Sequence, residues 1–127
     1  MEFDNSRPIY LQIVEKIKKD IISGKLERGD KMPSVRVMAS ELKVNVNTVQ
    51  RVYQQLEQEE VIFTQRGIGS FVTRDEQVVK RIKQEMSYEL LENFVQGMKE
   101  LGFDSSQILK LLTKYMEGEP GGSIKGR

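Results

Sequence analysis

Apolar side chains recur at every fourth position through the opening of the chain, at Ile9, Ile13, Ile17 and Ile21, and Val14 and Ile22 broaden the stripe. That period predicts an amphipathic helix with one buried face. Ser6-Arg7-Pro8 sets its start, since proline in a first turn lacks only an N–H that has no helical partner there, and Ser23-Gly24 sets its end. Tyr10 lies beside the stripe and reads as a core aromatic, with a hydroxyl donated to a phosphate as the alternative. A shorter helical pattern spans residues 33–42, with Val35, Met38, Ala39 and Leu42 on one face and Ser34 placed to accept an orphan N–H of the first turn. After Lys43-Val44-Asn45 a third helix is predicted, capped by Asn45, with Val49, Val52, Tyr53 and Leu56 turned to a core. Residues 61–64 and 70–73 are β-rich runs on either side of Gln65-Arg66-Gly67-Ile68-Gly69, the pattern of a hairpin. A helix, a helix-turn-helix and a hairpin, in that order, predict a winged helix.

The second half of the chain repeats the helical period on a longer scale. Val79, Ile82, Met86, Leu90, Phe94, Met98 and Leu101 follow at spacings of three and four, an apolar stripe of about 33 Å at 1.5 Å per residue. Gly102-Phe103 ends it, and Asp104-Ser105-Ser106-Gln107 has the form of a capping box for a further helix carrying Ile108, Leu109, Leu111, Leu112, Tyr115 and Met116. Two helices cannot bury this much apolar surface against each other alone. A second copy of the chain is the expected outlet, with Val79, Ile82, Met86, Leu90, Phe94, Met98, Ile108 and Leu112 at the interface; packing back onto the winged helix is the alternative. The expected architecture is mostly α: a winged helix-turn-helix domain over residues 1–74, a two-helix dimerisation segment over 75–117 and a flexible Gly-rich tail over 118–127.

Candidate chemistry sits on the third helix. Asn47, Gln50, Arg51 and Gln54 recur at spacings of three and four on the face opposite the core, and no acidic residue occurs between positions 45 and 55. A merely solvated face is usually rich in Glu and Lys, whereas amides and Arg are the side chains that pair with base edges in a DNA major groove. The wider run resembles the N-terminal domain of the GntR family of bacterial transcription regulators, whose pattern is roughly G-x-L-x-x-G-x-x-L-P-S-x-R-x-L-A, then V-S-R-x-T-V, L-x-x-E-G-L and G-x-G-T-F-V. Gly24, Leu26, Gly29, Pro33, Ser34, Arg36, Ala39, Val44, Thr48, Val49, Leu56, Glu59, Gly67, Gly69, Phe71 and Val72 stand in those places, and the match covers roughly residues 7 to 74. The opening RPIYLQIVEKIKKDIISGKL and the short segment after the wing resemble the small YtrA-like branch. Val46 and Gln50 stand where the family often has Arg, so the resemblance implies a different target site. Glu60 replaces the usual glycine, which would suit a helix C-cap, so the third helix is expected to end differently.

The resemblance implies sequence-specific binding of double-stranded DNA by a homodimeric repressor at an inverted-repeat operator. The candidate contacts are Ser34, Arg36, Asn45, Asn47, Thr48, Gln50, Arg51, Arg66, Gly67 and Gly69. Arg36 suits a phosphate or a guanine edge, with a salt bridge to Glu41 or Glu59 as the bland alternative. Thr48 suits a phosphate oxygen or, alternatively, the core; Asn47 and Gln50 suit bases, or hydration only; Arg51 suits a phosphate or a base. Arg66 would carry the wing tip toward a minor groove, although hairpin turns require glycines such as Gly67 and Gly69 in any case.

Composition narrows the field further. Lys and Arg number 20 against 19 Asp and Glu, and residues 1–77 carry 12 of each, so a DNA partner requires basic groups segregated on one face. Neutral charge favours the competing class, a winged helix that binds protein. Cys and His are both absent, which excludes disulfides, thiol nucleophiles, zinc fingers and histidine acid–base catalysis. No clustered nucleophile and base suggests an enzyme, and no cofactor is expected. With no span of ~20 apolar residues and no signal-peptide pattern, a cytoplasmic protein without membrane contact is expected. A small-molecule effector, if used, would sit at the dimer interface or in the cleft beside the winged helix.

Overall fold

The computed structural model describes residues 1–118. In chain order its elements are α1 (Ile9–Ser23), α2 (Val35–Leu42), α3 (Val46–Gln58), β1 (Ile62–Gln65), β2 (Gly69–Val72), α4 (Glu76–Glu100) and α5 (Ser105–Met116). The chain divides into two compact units, Met1–Gln84 and the remainder from Glu85 onward. The expected tail lies, apart from Gly118, outside the described residues.

The first unit is built around the predicted stripes. Ile13, Val14, Ile17 and Ile21 of α1 pack with Ala39 of α2, with Val49, Val52, Tyr53 and Leu56 of α3, and with Val61, Ile62 and Val72 of the hairpin. Gln12 is also buried, and each end of its amide is used. Its Nε2 donates to the carbonyls of Asp4 and Arg7 at 2.7 and 3.0 Å, and its Oε1 accepts from the Asp4 N–H at 2.8 Å, which ties the segment before α1 onto that helix. Buried amides are tolerable only when satisfied in this way.

The helix-turn-helix is set by its caps. The Ser34 hydroxyl accepts from the Val37 N–H at 3.2 Å, and the Asn45 carbonyl oxygen Oδ1 accepts from the Asn47 N–H at 2.7 Å. Between them α2 closes through Lys43 in the left-handed region (φ +58°), with Val44 N–H donating to Ala39 and Lys43 N–H to Ser40. The end of α3 repeats that geometry and corrects the sequence expectation. Glu60 takes φ +65°, and Val61 N–H donates to Leu56 at 2.9 Å while Glu60 N–H donates to Glu57 at 3.0 Å. The helix therefore stops in the glycine-type Schellman closure, with a glutamate held in the conformation glycine prefers.

β1 and β2 pair antiparallel, with Ile62 opposite Val72 and Gln65 opposite Gly69. A feature invisible to the sequence pattern lies on the other edge of β2. Met32 N–H donates to Ser70 at 2.8 Å, Val72 N–H to Asp30 at 2.8 Å and Gly29 N–H to Val72 at 3.0 Å, so residues 29–32 cover that edge like a short third strand.

The first unit also runs ten residues past the expected boundary at 74. Val78 and Ile82 of α4 are buried, Ile82 completely, and Ile82 belongs to the core cluster with Val79 packed against it. Full burial of one such isoleucine contributes about 1.5–3 kcal/mol. Ile82 is therefore a core residue of the winged unit, with half-buried Val79 packed against that core. A stripe at helical period does not say which partner covers which stretch of it.

In the second unit Gly102 (φ +95°) ends α4, and the capping box forms as read: the Asp104 carboxylate accepts from the Gln107 N–H and the Asp104 N–H donates to Gln107 Oε1, both at 2.9 Å. Ile108 is buried and Met86, Met98 and Leu112 are half-buried, whereas Leu90, Leu91, Leu101, Leu109, Tyr115 and Met116 are exposed. Ile108 is covered within the chain itself.

Candidate nucleic-acid interface

The face of α3 that carries Asn47, Gln50, Arg51 and Gln54 is exposed, while Val49, Val52 and Leu56 behind it are fully buried. This separation fixes the helix about its own axis, since rotating it would expose the apolar row. Thr48 is half-buried at the border. Tyr53 adds a polar anchor: its hydroxyl donates to the Pro33 carbonyl at 2.6 Å, joining α3 to the residue before the α2 cap. Burial, with the Glu41 charge adding to it, pushes the Tyr53 hydroxyl up to about 12, so it remains a donor at any physiological pH.

Ser34 and Asn45 are exposed, and each holds a helix N-terminus with its side-chain oxygen. Arg36, in the first turn of α2, is exposed and forms no ion pair among the described residues. The Glu59 alternative raised for it is taken by Lys18, at 2.6 Å. Arg51 lies with its guanidinium carbon 3.6 Å from the centroid of the Tyr10 ring. In the wing, Arg66 and Ile68 are exposed, Gly67 takes φ +79°, and Ile68 N–H closes the turn on the Gln65 carbonyl at 2.9 Å. Gly69 has φ +142°, and a Cβ there would come within 3.0 Å of Lys31 Cε. Lys31, which sequence reasoning missed, therefore lies against the wing; only the pairing of residues 29–32 with β2 reveals it. Behind the wing Phe63 and Phe71 stack at 5.6 Å, and Arg74 covers Phe63 at 4.8 Å.

Among the described residues four carboxylates are held in ion pairs. Glu15, Asp20, Glu59 and Glu76 are matched by Arg7, Lys16, Lys18 and Lys80. Arg36, Lys31 and Arg66 carry no such partner among the described residues, and α3 has no acidic residue before Glu57. Glu59 has a structural task. Partial burial raises its carboxyl, but hydrogen bonds from Lys18 and Gln55 and the charges of Lys18 and Arg81 outweigh that and hold it below the ordinary range. Arg81 of α4 also donates to the Glu59 carbonyl oxygen. Within the same unit a cleft of about 790 Å³ is lined by Ile22, Leu26, Val79, Arg28, Arg74 and Lys83, among others. No helix of the described residues is long and apolar enough to cross a membrane.

A buried-backed, amide-faced second helix of a helix-turn-helix, followed by a two-stranded wing, defines a winged-helix DNA-binding protein. The sequence profile of the bacterial regulatory proteins of the gntR family matches residues 9–72, and the chain belongs to that family. It is 41% identical over 117 residues to the HTH-type transcriptional regulator YhcF of Bacillus subtilis (strain 168), covering 92% of this chain and 97% of YhcF. Identity to the HTH-type transcriptional repressor YtrA of the same organism is 41% over 71 residues, 56% of this chain and 55% of YtrA. A GntR family transcriptional regulator from Listeria monocytogenes matches the structure with a TM-score of 0.80 at 41% identity, over 88% of this chain and 98% of that one. The chain is thus a DNA-binding transcription regulator, not an enzyme.

Proposed function

We propose that the protein is a cytoplasmic homodimeric repressor that reads an inverted-repeat operator in duplex DNA. The observation that carries this reading is the exposed, acid-free amide face of α3 set on a fully buried opposite face. Asn47 and Gln50 read bases, each amide being able to make two bonds to an adenine edge. Arg36, Thr48, Lys31 and the N-terminal turns capped by Ser34 and Asn45 hold phosphates. Arg66, carried on the turn that Gly67 and Gly69 permit, approaches the minor groove.

Dimerisation is supported by the exposed apolar side chains of the second unit, a concentration rarely left open on a monomer. Of the interface expected from sequence, Met86, Leu90, Phe94, Met98 and Leu112 remain available, and exposed Leu101, Leu109 and Tyr115 join them. A two-fold pair then presents two α3 helices to half-sites about one helical turn apart or a multiple of it. Repression is the activity named for the relative YtrA. An effector is offered the cleft lined by Arg28, Arg74 and Lys83 over Ile22, Leu26 and Val79, a lining suited to an anion with an apolar part.

The test is selection of random duplex DNA by the purified protein, with sedimentation of the free protein and of a Leu90→Glu, Leu101→Glu variant. An enriched inverted repeat, bound by a dimer that the variant loses, is the expected result. Enrichment of no sequence would point to a winged helix that binds protein, and a variant still dimeric would move the interface elsewhere.

A further inference from the structure

We propose that Tyr10 and Arg51 form a preset clamp for one DNA backbone phosphate, which makes the first turn of α1 part of the DNA-binding surface. The inference rests on the reading that α3 faces DNA. Sequence leaves Arg51 between base and phosphate and reads Tyr10 as a core aromatic, with a hydroxyl donated to a phosphate as the alternative; Tyr10 does pack against the core cluster, and the geometry adds Arg51 as a second neighbour of its ring. Tyr10 is half-buried, and the Arg51 guanidinium carbon lies over its ring, 3.6 Å from the centroid. A guanidinium stacked on an aromatic ring uses its π face and none of its five N–H groups. Arg51 is exposed and makes no hydrogen bond or ion pair among the described residues, so its donor fork is available to a ligand.

The direction of the side chain decides which part of DNA it meets. A base-reading arginine extends from the helix so that its fork reaches O6 and N7 of guanine on the groove floor. Arg51 is instead drawn sideways onto α1, at the flank of α3, one turn beyond Asn47. The flank of a helix seated in the major groove meets the sugar–phosphate wall, and a planar fork matches two phosphate oxygens. The ring holds the long side chain in place before DNA arrives, so less rotamer freedom is lost on binding. Tyr10 is thus a positioning residue that acts through Arg51.

The experiment measures affinity over a salt series for the selected operator and for a scrambled duplex of the same length. The proteins are wild type, Arg51→Gln, Tyr10→Leu, Tyr10→Phe and the Tyr10→Leu, Arg51→Gln double variant. Arg51→Gln is expected to weaken both duplexes by the same factor and to lower the slope of log K against log salt by about 0.9, one phosphate's worth. Tyr10→Leu is expected to weaken both about two- to fivefold, and Tyr10→Phe, which keeps the stack, to stay within about twofold of wild type. In the Arg51→Gln background Tyr10→Leu should cost nothing more, an outcome that a general loss of folding would not give. Loss confined to the operator, with relaxed preference at one base pair, would assign Arg51 to a base and overturn the clamp. So would a harmless Tyr10→Leu, or a Tyr10→Phe as damaging as it. Wild-type protein that binds neither duplex would instead overturn the underlying DNA-binding reading.

Discussion

Replacing Glu60 by glycine should make the protein more stable, because the backbone there already has glycine's conformation. At φ +65° an L side chain is strained, and the conformation is held by the Val61-to-Leu56 and Glu60-to-Glu57 hydrogen bonds that close α3. The left-handed region costs a residue with a Cβ roughly 1–2 kcal/mol, from which the extra unfolded-state freedom of glycine, about 0.4–1 kcal/mol, must be subtracted. A net gain of about 0.5–1 kcal/mol is expected from the backbone alone. Charge contributes separately, since Glu57, Glu59 and Glu60 crowd a helix C-terminus where the dipole disfavours anions. Glu60→Ala isolates that contribution, because alanine removes the charge but keeps the Cβ. Urea unfolding at one fixed protein concentration is the assay, as the stability of an associating chain depends on concentration. The midpoint should rise for the glycine variant with the m-value unchanged. If Glu60→Ala stabilises as much as Glu60→Gly, the gain is electrostatic and the backbone at Glu60 is not the source of strain.

Tyr53→Phe removes the donor to the Pro33 carbonyl and should cost about 1–3 kcal/mol in the same assay, an unchanged midpoint being the refuting result. The Tyr53 hydroxyl ionises at about 12 in the folded chain against an ordinary value of 10.0, so the unfolded chain loses its proton first. Stability therefore falls as pH rises from 10 toward 12, and Tyr53→Phe should lack that part of the alkaline slope. Glu59 runs the other way: its folded value lies below 4.5, so its contribution is present above that pH and is lost as pH falls through the folded value. Glu59→Gln should flatten this acid limb in pH-dependent urea titrations. Asn47→Ala and Gln50→Ala should each cost about 1–3 kcal/mol on the selected operator and leave scrambled DNA unaffected, and equal losses on both would remove base reading from these two residues.

Much of this fold is legible because it depends on local patterns. The Ile13, Ile17 and Ile21 stripe, the caps at Ser34, Asn45 and Asp104, and the glycines of the wing turn are each specified within a few residues of where they act. What escaped depends on contacts between distant residues. The α4 stripe has one period from end to end, yet Ile82 serves the winged unit's core while Leu90 stays exposed. The strand-like segment at residues 29–32 has no alternating pattern and exists only because β2 offers it an edge, so the sequence does not place Lys31 beside the wing. Glu60 illustrates the opposite error, where the absence of glycine suggests a different helix end but the hydrogen bonds of the closure impose the glycine conformation on glutamate. The exposed face of α3 is readable; the seating of Arg51 on Tyr10, across about forty residues of sequence, is not.

Glu59 ties together parts of the winged unit that leave the ribosome at different times. Its carboxylate is held by Lys18, 41 positions earlier, and its backbone carbonyl by Arg81, 22 positions later. A nascent chain that has released α1 to β2 from the ribosome still lacks Ile82 in its core and the donor for that carbonyl. The recognition helix and its local closure at Glu60 lie wholly within the earlier segment, whereas the Glu59 carbonyl gains its Arg81 donor and the core its Ile82 only when the first turns of α4 emerge. The segment that leads out of the winged unit is also the one that completes it.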